Sequence, residues 1–557
     1  MKNLLSFLMF ALCSRLIRGQ GTAPLITISD GKLKGSVNST YSQKLTYYAY
    51  RGIPFAKKPI DDLRFAPPAK NDPWNGTLDA TKDKDKCTQI ALFYSPSTNV
   101  TGSEDCLYIN VYTTNVTGNL PVMVWIYGGT FMGGTSAYYQ YGPDYFLEKG
   151  VVYVSFNYRL GIFGFLSTED STAPGNWGLK DQVLALQWVK QNIKSFGGDP
   201  NQVTIFGQSA GGASVSYLTL SNLTTGLFKG AILQSGSSLC PFAHTTNARV
   251  TAFAVGLSLG IETISSQTLV EKLRKIDYKT LKIAENNVSN IYAITDGFLG
   301  GIPMGVVTEP ALPGAFITKK NWELLSTGQF QKVPLLMGFT SNESANLDLN
   351  AVRSTPLLLQ YSLDLKLLAP AGLTKNLIKQ ILAGAKVRGH YFNTVNIASD
   401  PKKFTQFLNA NQFIRPIRET VAQSSKFSKV YFYEFAYQGH VGDPNNTHQG
   451  VAHAEDLNYE FIMSDVTPTA ADKKVIQKMV TLWTNFAKTG NPTPSSNSEV
   501  LEGLIWEPNG PGSNASAPIK YLNIDTNFTM MTNPFQDDWI FYQNLYKTYG
   551  DPPYVTY

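Results

Sequence analysis

The sequence predicts an α/β protein, a central mostly parallel sheet flanked by helices, and three observations point there. Short apolar runs bounded by glycine or polar residues recur along the chain, as buried parallel strands do. Helical apolar periodicity fills the interval between two of them. One run ends in a Gly-x-Ser-x-Gly turn that opens onto a helix start of small residues. Residues 20–557 read as one such domain, because no Pro/Ser linker, charge run or internal repeat divides them.

Taken in order, the strands are predicted at Val122–Tyr127, Val151–Phe156, Val203–Phe206, Ala231–Leu233, Val333–Met337 and Val430–Phe435. Between the second and third, Leu179–Ile193 returns apolar residues at three-to-four spacing. This predicts an amphipathic helix on the sheet, ended by Gly197-Gly198-Asp199-Pro200. In such sheets ligands bind beyond the carboxyl ends of the strands.

With 557 residues, 43% hydrophobic and 16% charged, the chain has ample apolar material for a large core and is not a disordered protein. Its net charge of +6 comes from scattered lysines, which excludes a nucleic-acid footprint. Lys2 and the apolar run Leu4–Leu12 predict a secretory signal peptide over residues 1–19, with the mature chain starting near Gln20. No later stretch is apolar and long enough for a membrane anchor, and Asp551–Tyr557 resembles neither a lipid-anchor tail nor a retention signal. The expected location is outside the cell or in the lumen of secretory vesicles.

Cysteine usage agrees with that location. Of 4 cysteines, Cys13 leaves with the signal peptide, and a bridge between Cys87 and Cys106 would close a short loop and leave Cys240 unpaired. No Cys-x-x-Cys or His-x-x-x-His spacing occurs, so no metal is expected, and no cofactor either. Glycosylation sequons stand at Asn38, Asn75, Asn99, Asn115, Asn222, Asn287, Asn445, Asn514 and Asn527. A tenth, Asn342, adjoins a residue expected to be buried.

The chemistry centres on Gly207-Gln208-Ser209-Ala210-Gly211. A serine in this nucleophile elbow sits at a strained strand-to-helix corner with its hydroxyl clear of the sheet, and glycines flank it because a Cβ would strike neighbouring backbone. Ser209 is the candidate nucleophile, and the following helix aims its unpaired amides where an oxyanion would form. A hydroxyl needs a base and the base needs an orienting carboxylate. Of 5 histidines, His244, His390, His440 and His448 lack a setting that places them after a strand near the site, whereas His453 follows the strand Val430–Phe435. Glu343 follows the strand Val333–Met337. The order Ser209, Glu343, His453 is that of the α/β-hydrolases.

The chain resembles the type-B carboxylesterase, cholinesterase-like family from about Leu33 to Phe541. The resemblance is carried by Arg51-Gly52-Ile53-Pro54-Phe55-Ala56 with Arg64-Phe65-Ala66-Pro67-Pro68, Ser103-Glu104-Asp105-Cys106-Leu107-Tyr108-Ile109-Asn110, and Asn157-Tyr158-Arg159-Leu160-Gly161. Gly175-Asn176-Trp177-Gly178-Leu179 and Trp483-Thr484-Asn485-Phe486-Ala487 follow in the family's order. It implies an α/β-hydrolase fold and a triad of Ser209, Glu343 and His453. It further implies an oxyanion hole from the amides of Gly129, Thr130 and Ala210, and a Cys87–Cys106 bridge.

Four departures qualify it. Thr130 stands in the glycine run of the oxyanion loop, Gln208 where the family usually has glutamate, and Ala454 where it has glycine, and the family's later disulfide has no cysteines here. The Cys87–Cys106 loop also lacks the tryptophan on which cholinesterases seat a quaternary ammonium. The expected function is a secreted serine esterase working through an acyl-enzyme on small, neutral ester substrates. The alternative is a non-enzymatic adhesion or vesicle storage protein of the same fold. The oligomeric state is not legible.

Overall fold

The computed structural model describes residues 23–90, 98–245, 247–292, 301–345, 355–392, 396–397, 400–445, 447–511 and 517–557. The expected signal peptide, Cys13 and Asn514 lie outside the described residues.

The strands in chain order are β1 (Ile26–Ile28), β2 (Gly31–Lys34), β3 (Ser36–Ser39), β4 (Thr46–Pro54), β5 (Thr77–Asp79), β6 (Tyr108–Thr113) and β7 (Leu120–Ile126). Then come β8 (Val152–Phe156), β9 (Gly198–Gln208), β10 (Gly230–Gln234), β11 (Leu335–Thr340), β12 (Val430–Phe435), β13 (Lys520–Ile524) and β14 (Phe528–Thr532). Strands β1, β2 and β5 form a small sheet. The other 11 form one sheet in the order β14-β13-β12-β11-β10-β9-β7-β8-β6-β4-β3.

The six expected strands are its centre, β7 to β12, and each neighbouring pair among them runs parallel. Both faces of these strands are covered, which is why their sequences are continuously apolar: β8, β10 and β11 are buried at every position. The edges are different. Strands β6, β4 and β3 join antiparallel on one side, and the β13–β14 hairpin closes the other.

Several boundaries move from their expected places: β9 is the longest extension, starting at Gly198 rather than Val203 and running to Gln208, and two others bear on the site. Strand β11 starts after Pro334, which has no N–H for the ladder, and runs on to Thr340 because Gly338, Phe339 and Thr340 stay in register with β12. Glu343 therefore lies only three residues beyond a strand end. The helix expected at Leu179–Ile193 spans Trp177–Asn192 and tightens into a 3₁₀ turn that ends at Gly197, φ 79°.

The signature segments brace the face that carries the site. Arg159, just after β8, donates Nε and Nη2 to the Asp181 carboxylate at 2.8 and 2.7 Å, tying that loop to helix Trp177–Asn192. Lys180 and Glu309 form a second buried pair at 2.7 Å, and Arg64 Nε donates to Glu104 at 2.7 Å. Removing one partner from such a buried pair costs about 3–5 kcal/mol, so these pairs hold loop positions that packing alone would leave loose. Cys87 and Cys106 are disulfide-bonded and Cys240 is a buried free thiol.

Candidate active site

Ser209 caps β9 at φ 59°, ψ −126°, a conformation that L-residues rarely adopt, and begins the helix Ala210–Leu220. The elbow is held by close backbone approach. A Cβ on Gly207 would lie 2.5 Å from the Ile126 carbonyl oxygen, one on Gly211 2.0 Å from the same atom, and one on Gly236 2.1 Å from the Ser209 carbonyl oxygen. Glycine is required at all three, and the amide of Ser209 is spent on the Gln234 carbonyl at 2.8 Å. The amide of Ala210 opens the helix, among the donors that have no intrahelical acceptor.

The carboxyl ends of β7, β9, β11 and β12 bring the remaining expected residues together. Glu343 is fully buried. Its Oε1 accepts the Thr340 amide at 2.8 Å, its own amide donates to Asn409 Oδ1 at 3.0 Å, and its Oε2 lies 2.6 Å from Nδ1 of His453. The His453 amide donates in turn to the Glu343 carbonyl at 3.2 Å. On its other edge, Nε2 of His453 lies 3.2 Å from Nε2 of Gln208, the residue before the serine. The imidazole is thus clamped between the acid and the elbow.

The other histidines are elsewhere. His244 is fully enclosed, and burial pushes its imidazole down to about 3. His390 stacks on Phe541 at 3.9 Å, His448 pairs with Glu455 at 2.7 Å, and His440 adjoins Asp472 through its amide.

After β7 the chain turns sharply through Gly128-Gly129-Thr130-Phe131. Gly129 has φ 113°, and a Cβ there would lie 2.2 Å from the Gly133 carbonyl oxygen. Thr130 and Phe131 follow at φ 52° and 59°. A β-branched residue in the left-handed region is strained by about 1–3 kcal/mol, and the buried Thr130 hydroxyl has no hydrogen-bond partner among the described residues. Ala454 likewise has φ 69°, which accounts for glycine being the usual residue after the histidine. Strain therefore gathers around the elbow at Thr130, Phe131, Ser209 and Ala454.

Three supporting residues, Asn409, Phe413 and Gln234, were not singled out from the sequence. Asn409 immediately precedes, and Phe413 lies within, a π-helical stretch, Ala410–Ile414, inside a helix that continues through Pro416. A mid-helix proline forces such widening, so Pro416 was the available clue. Asn409 holds the Glu343 backbone, and the Phe413 ring lies 4.9 Å from the His453 ring. Behind them, Gln234 donates to two buried carboxyls, Asp456 at 3.3 Å and Glu460 at 2.6 Å. Burial, then the Glu343 charge, pushes Asp456 up to about 7. Among the described residues no His, Cys, Asp or Glu group is placed to hold a metal.

Fold and site define an α/β-hydrolase. The chain belongs to the carboxylesterase family, whose model matches residues 22–541, and is a carboxylic ester hydrolase. It is 38% identical over 509 residues to the juvenile hormone esterase of Tribolium castaneum, covering 85% of each chain. It is 34% identical over 504 residues to the cocaine esterase of Homo sapiens, covering 86% of each. The crystal structure of the juvenile hormone esterase from Manduca sexta, with OTFP covalently attached, superposes with TM-score 0.83 at 26% identity. That match covers 95% of this chain and 100% of that one. The enzyme reading stands over the adhesion and storage alternative.

Proposed function

We propose that the protein is a secreted serine esterase in which Ser209 is the nucleophile, His453 the general base and Glu343 the carboxylate that orients the imidazole. The carrying observation is the 2.6 Å contact between His453 Nδ1 and Glu343 Oε2 beside the strained Ser209 elbow. Because a carboxylate can only accept, the 2.6 Å contact puts the imidazole proton on Nδ1, and Nε2 presents a lone pair. That lone pair takes the Ser209 proton as Oγ bonds to the ester carbonyl carbon. The carbonyl electrons move onto oxygen, where the amides of Gly129, Thr130 and Ala210 receive the charge. The proton then passes to the leaving alcohol, and water attacks the acyl-enzyme by the same route.

Neutral esters fit this site best. Gln208 supplies no negative charge next to the serine, and the Cys87–Cys106 segment contains no tryptophan for a quaternary ammonium. The relatives' names span juvenile hormone, cocaine, pyrethroid and acylcarnitine esterases or hydrolases, which supports broad selection. Secretion is supported by the disulfide, by exposed sequon asparagines at Asn75, Asn99, Asn115, Asn222, Asn287, Asn445 and Asn527, and by 33% identity to venom carboxylesterase-6 of Apis mellifera. Asn38 and Asn342 are half-buried, and Asn342 also donates its side-chain amide to the Gln449 carbonyl, so both are poorer glycan sites than these. Among the described residues no helix is long and apolar enough to cross a membrane.

The test is turnover of a neutral p-nitrophenyl ester. Ser209→Ala and His453→Ala are each expected to lose about three or more decades in kcat with the fold intact. A variant that keeps a tenth of the wild-type rate removes its residue from the mechanism.

A further inference from the structure

Resting on the assignment of His453 as base, we propose that Gln208 is a positioning residue that holds the neutral imidazole ready. It does so by donating its amide N–H to the lone pair that later accepts the Ser209 proton. Glu343 accepts from Nδ1–H, so Nε2 of the neutral ring has no hydrogen to give, and the group 3.2 Å away must be the donor end of the Gln208 amide. The strand fixes where that amide can be. Gln208 is the last residue of β9, paired in parallel register with Gln234, and it is 4% exposed. Its carbonyl end faces the oxyanion loop, since a Cβ on Gly128 would lie 3.2 Å from Gln208 Oε1. The carboxamide therefore spans from that loop to the base.

The contact has two consequences. A hydrogen bond to the lone pair favours the neutral, proton-accepting imidazole over the imidazolium. It also competes with the Ser209 hydroxyl for the same lone pair, and once the serine proton arrives, two N–H groups face each other. A half-turn of the carboxamide then presents Oε1 to the new Nε2–H, so one neutral side chain serves both protonation states without adding charge. A glutamate at this position can only accept and so favours the imidazolium throughout. Also facing the ring are the Glu343 carboxylate and the Phe413 ring, with the buried Asp456 carboxyl within electrostatic range. None of these can donate to Nε2 as a carboxamide does.

The test compares the wild type with Gln208→Met, which keeps length and loses the donor, and Gln208→Glu. Two readouts are used: imidazole titration by NMR of histidine-labelled protein, assigned with His453→Gln, and kcat/KM for a neutral ester against pH. Losing the donor shifts protonation of the ring to higher pH. The ratio of kcat/KM at pH 6 to that at pH 8 should accordingly fall by about threefold in Gln208→Met, the worth of one modest hydrogen bond, and further in Gln208→Glu. An imidazole titration that stays put or moves to lower pH in Gln208→Met overturns the proposal. If the imidazole moves as expected while the kinetic profile does not, Gln208 has the proposed contact and the assignment of His453 as base is what fails.

Discussion

Nδ1 of His453 sits 2.6 Å from Oε2 of Glu343, while the second oxygen of that carboxylate accepts the Thr340 amide at 2.8 Å. Both oxygens are committed, so Glu343 can act only as an acceptor. In Glu343→Gln the amide oxygen would be held by Thr340 N–H, leaving the NH₂ group to face Nδ1. The imidazole would then carry its proton on Nε2, the wrong tautomer for a base. The expected loss in kcat is about 10³–10⁴-fold, with unchanged near-UV dichroism. A loss below tenfold would remove Glu343 from the catalytic assignment.

Thr130 occupies a left-handed conformation that glycine adopts without strain. Thr130→Gly should release that strain and allow the oxyanion amide to align freely, raising kcat/KM for neutral esters. Thermal stability should rise too, by about 1 kcal/mol net of the extra chain entropy of glycine. Matched kinetics and calorimetry on the two proteins check this. Slower turnover in Thr130→Gly would mean that the strained loop already aims its donor correctly.

The Cys87–Cys106 bridge closes a loop of 19 residues' separation. On the loop-entropy scale its removal in a double serine variant should cost about 3 kcal/mol in urea unfolding. Cys240 is enclosed, and burial pushes its thiol up to about 12, so iodoacetamide should label it only after unfolding. A non-reducing peptide map that finds Cys240 in a disulfide would contradict this pattern.

The buried carboxyls behind the triad, together with the half-buried Glu434 on β12, predict how stability varies with pH. Burial first, and the Glu343 charge second, raise Asp456 from 3.8 to about 7, and burial raises Glu434 from 4.5 to about 7. Glu460 moves in the same direction, again chiefly by burial. For such groups the folded state binds the proton more tightly than the unfolded chain. Their contribution to stability is complete below about pH 4 and is lost as pH rises through about 7. Asp456→Asn, which can still accept from Gln234, should flatten the decline between pH 4 and 7 and unfold at higher denaturant than wild type at pH 8. An unchanged pH slope would show that Asp456 is ionised at little cost.

How much of this was legible in the sequence depended on how local each cause is. The elbow was legible because Gly207 and Gly211 answer to a neighbouring backbone atom whatever else the chain does. The six central strands were legible because burial on both faces leaves uninterrupted apolar runs. The edge strands were not, since β4 mixes exposed, half-buried and buried residues with no period of two, and its apolar content is largely tyrosine. His440 and His448 also follow β12, so His453 was separable from them only by its flanking run Gly450–Leu457. The contact between Gln208 and His453 spans 245 residues of sequence and leaves no trace in either segment. Asn409 and Phe413 were hidden for the same reason, with Pro416 the one mark of the widened helix that presents them.

The most direct measurement is mass spectrometry of the intact, folded protein after reaction with a p-nitrophenyl organophosphate, followed by peptide mapping. One phosphyl adduct per chain is expected, on the peptide containing Ser209, abolished in Ser209→Ala and slowed by orders of magnitude in His453→Ala. An adduct on any other residue, or labelling that persists in Ser209→Ala, would contradict it.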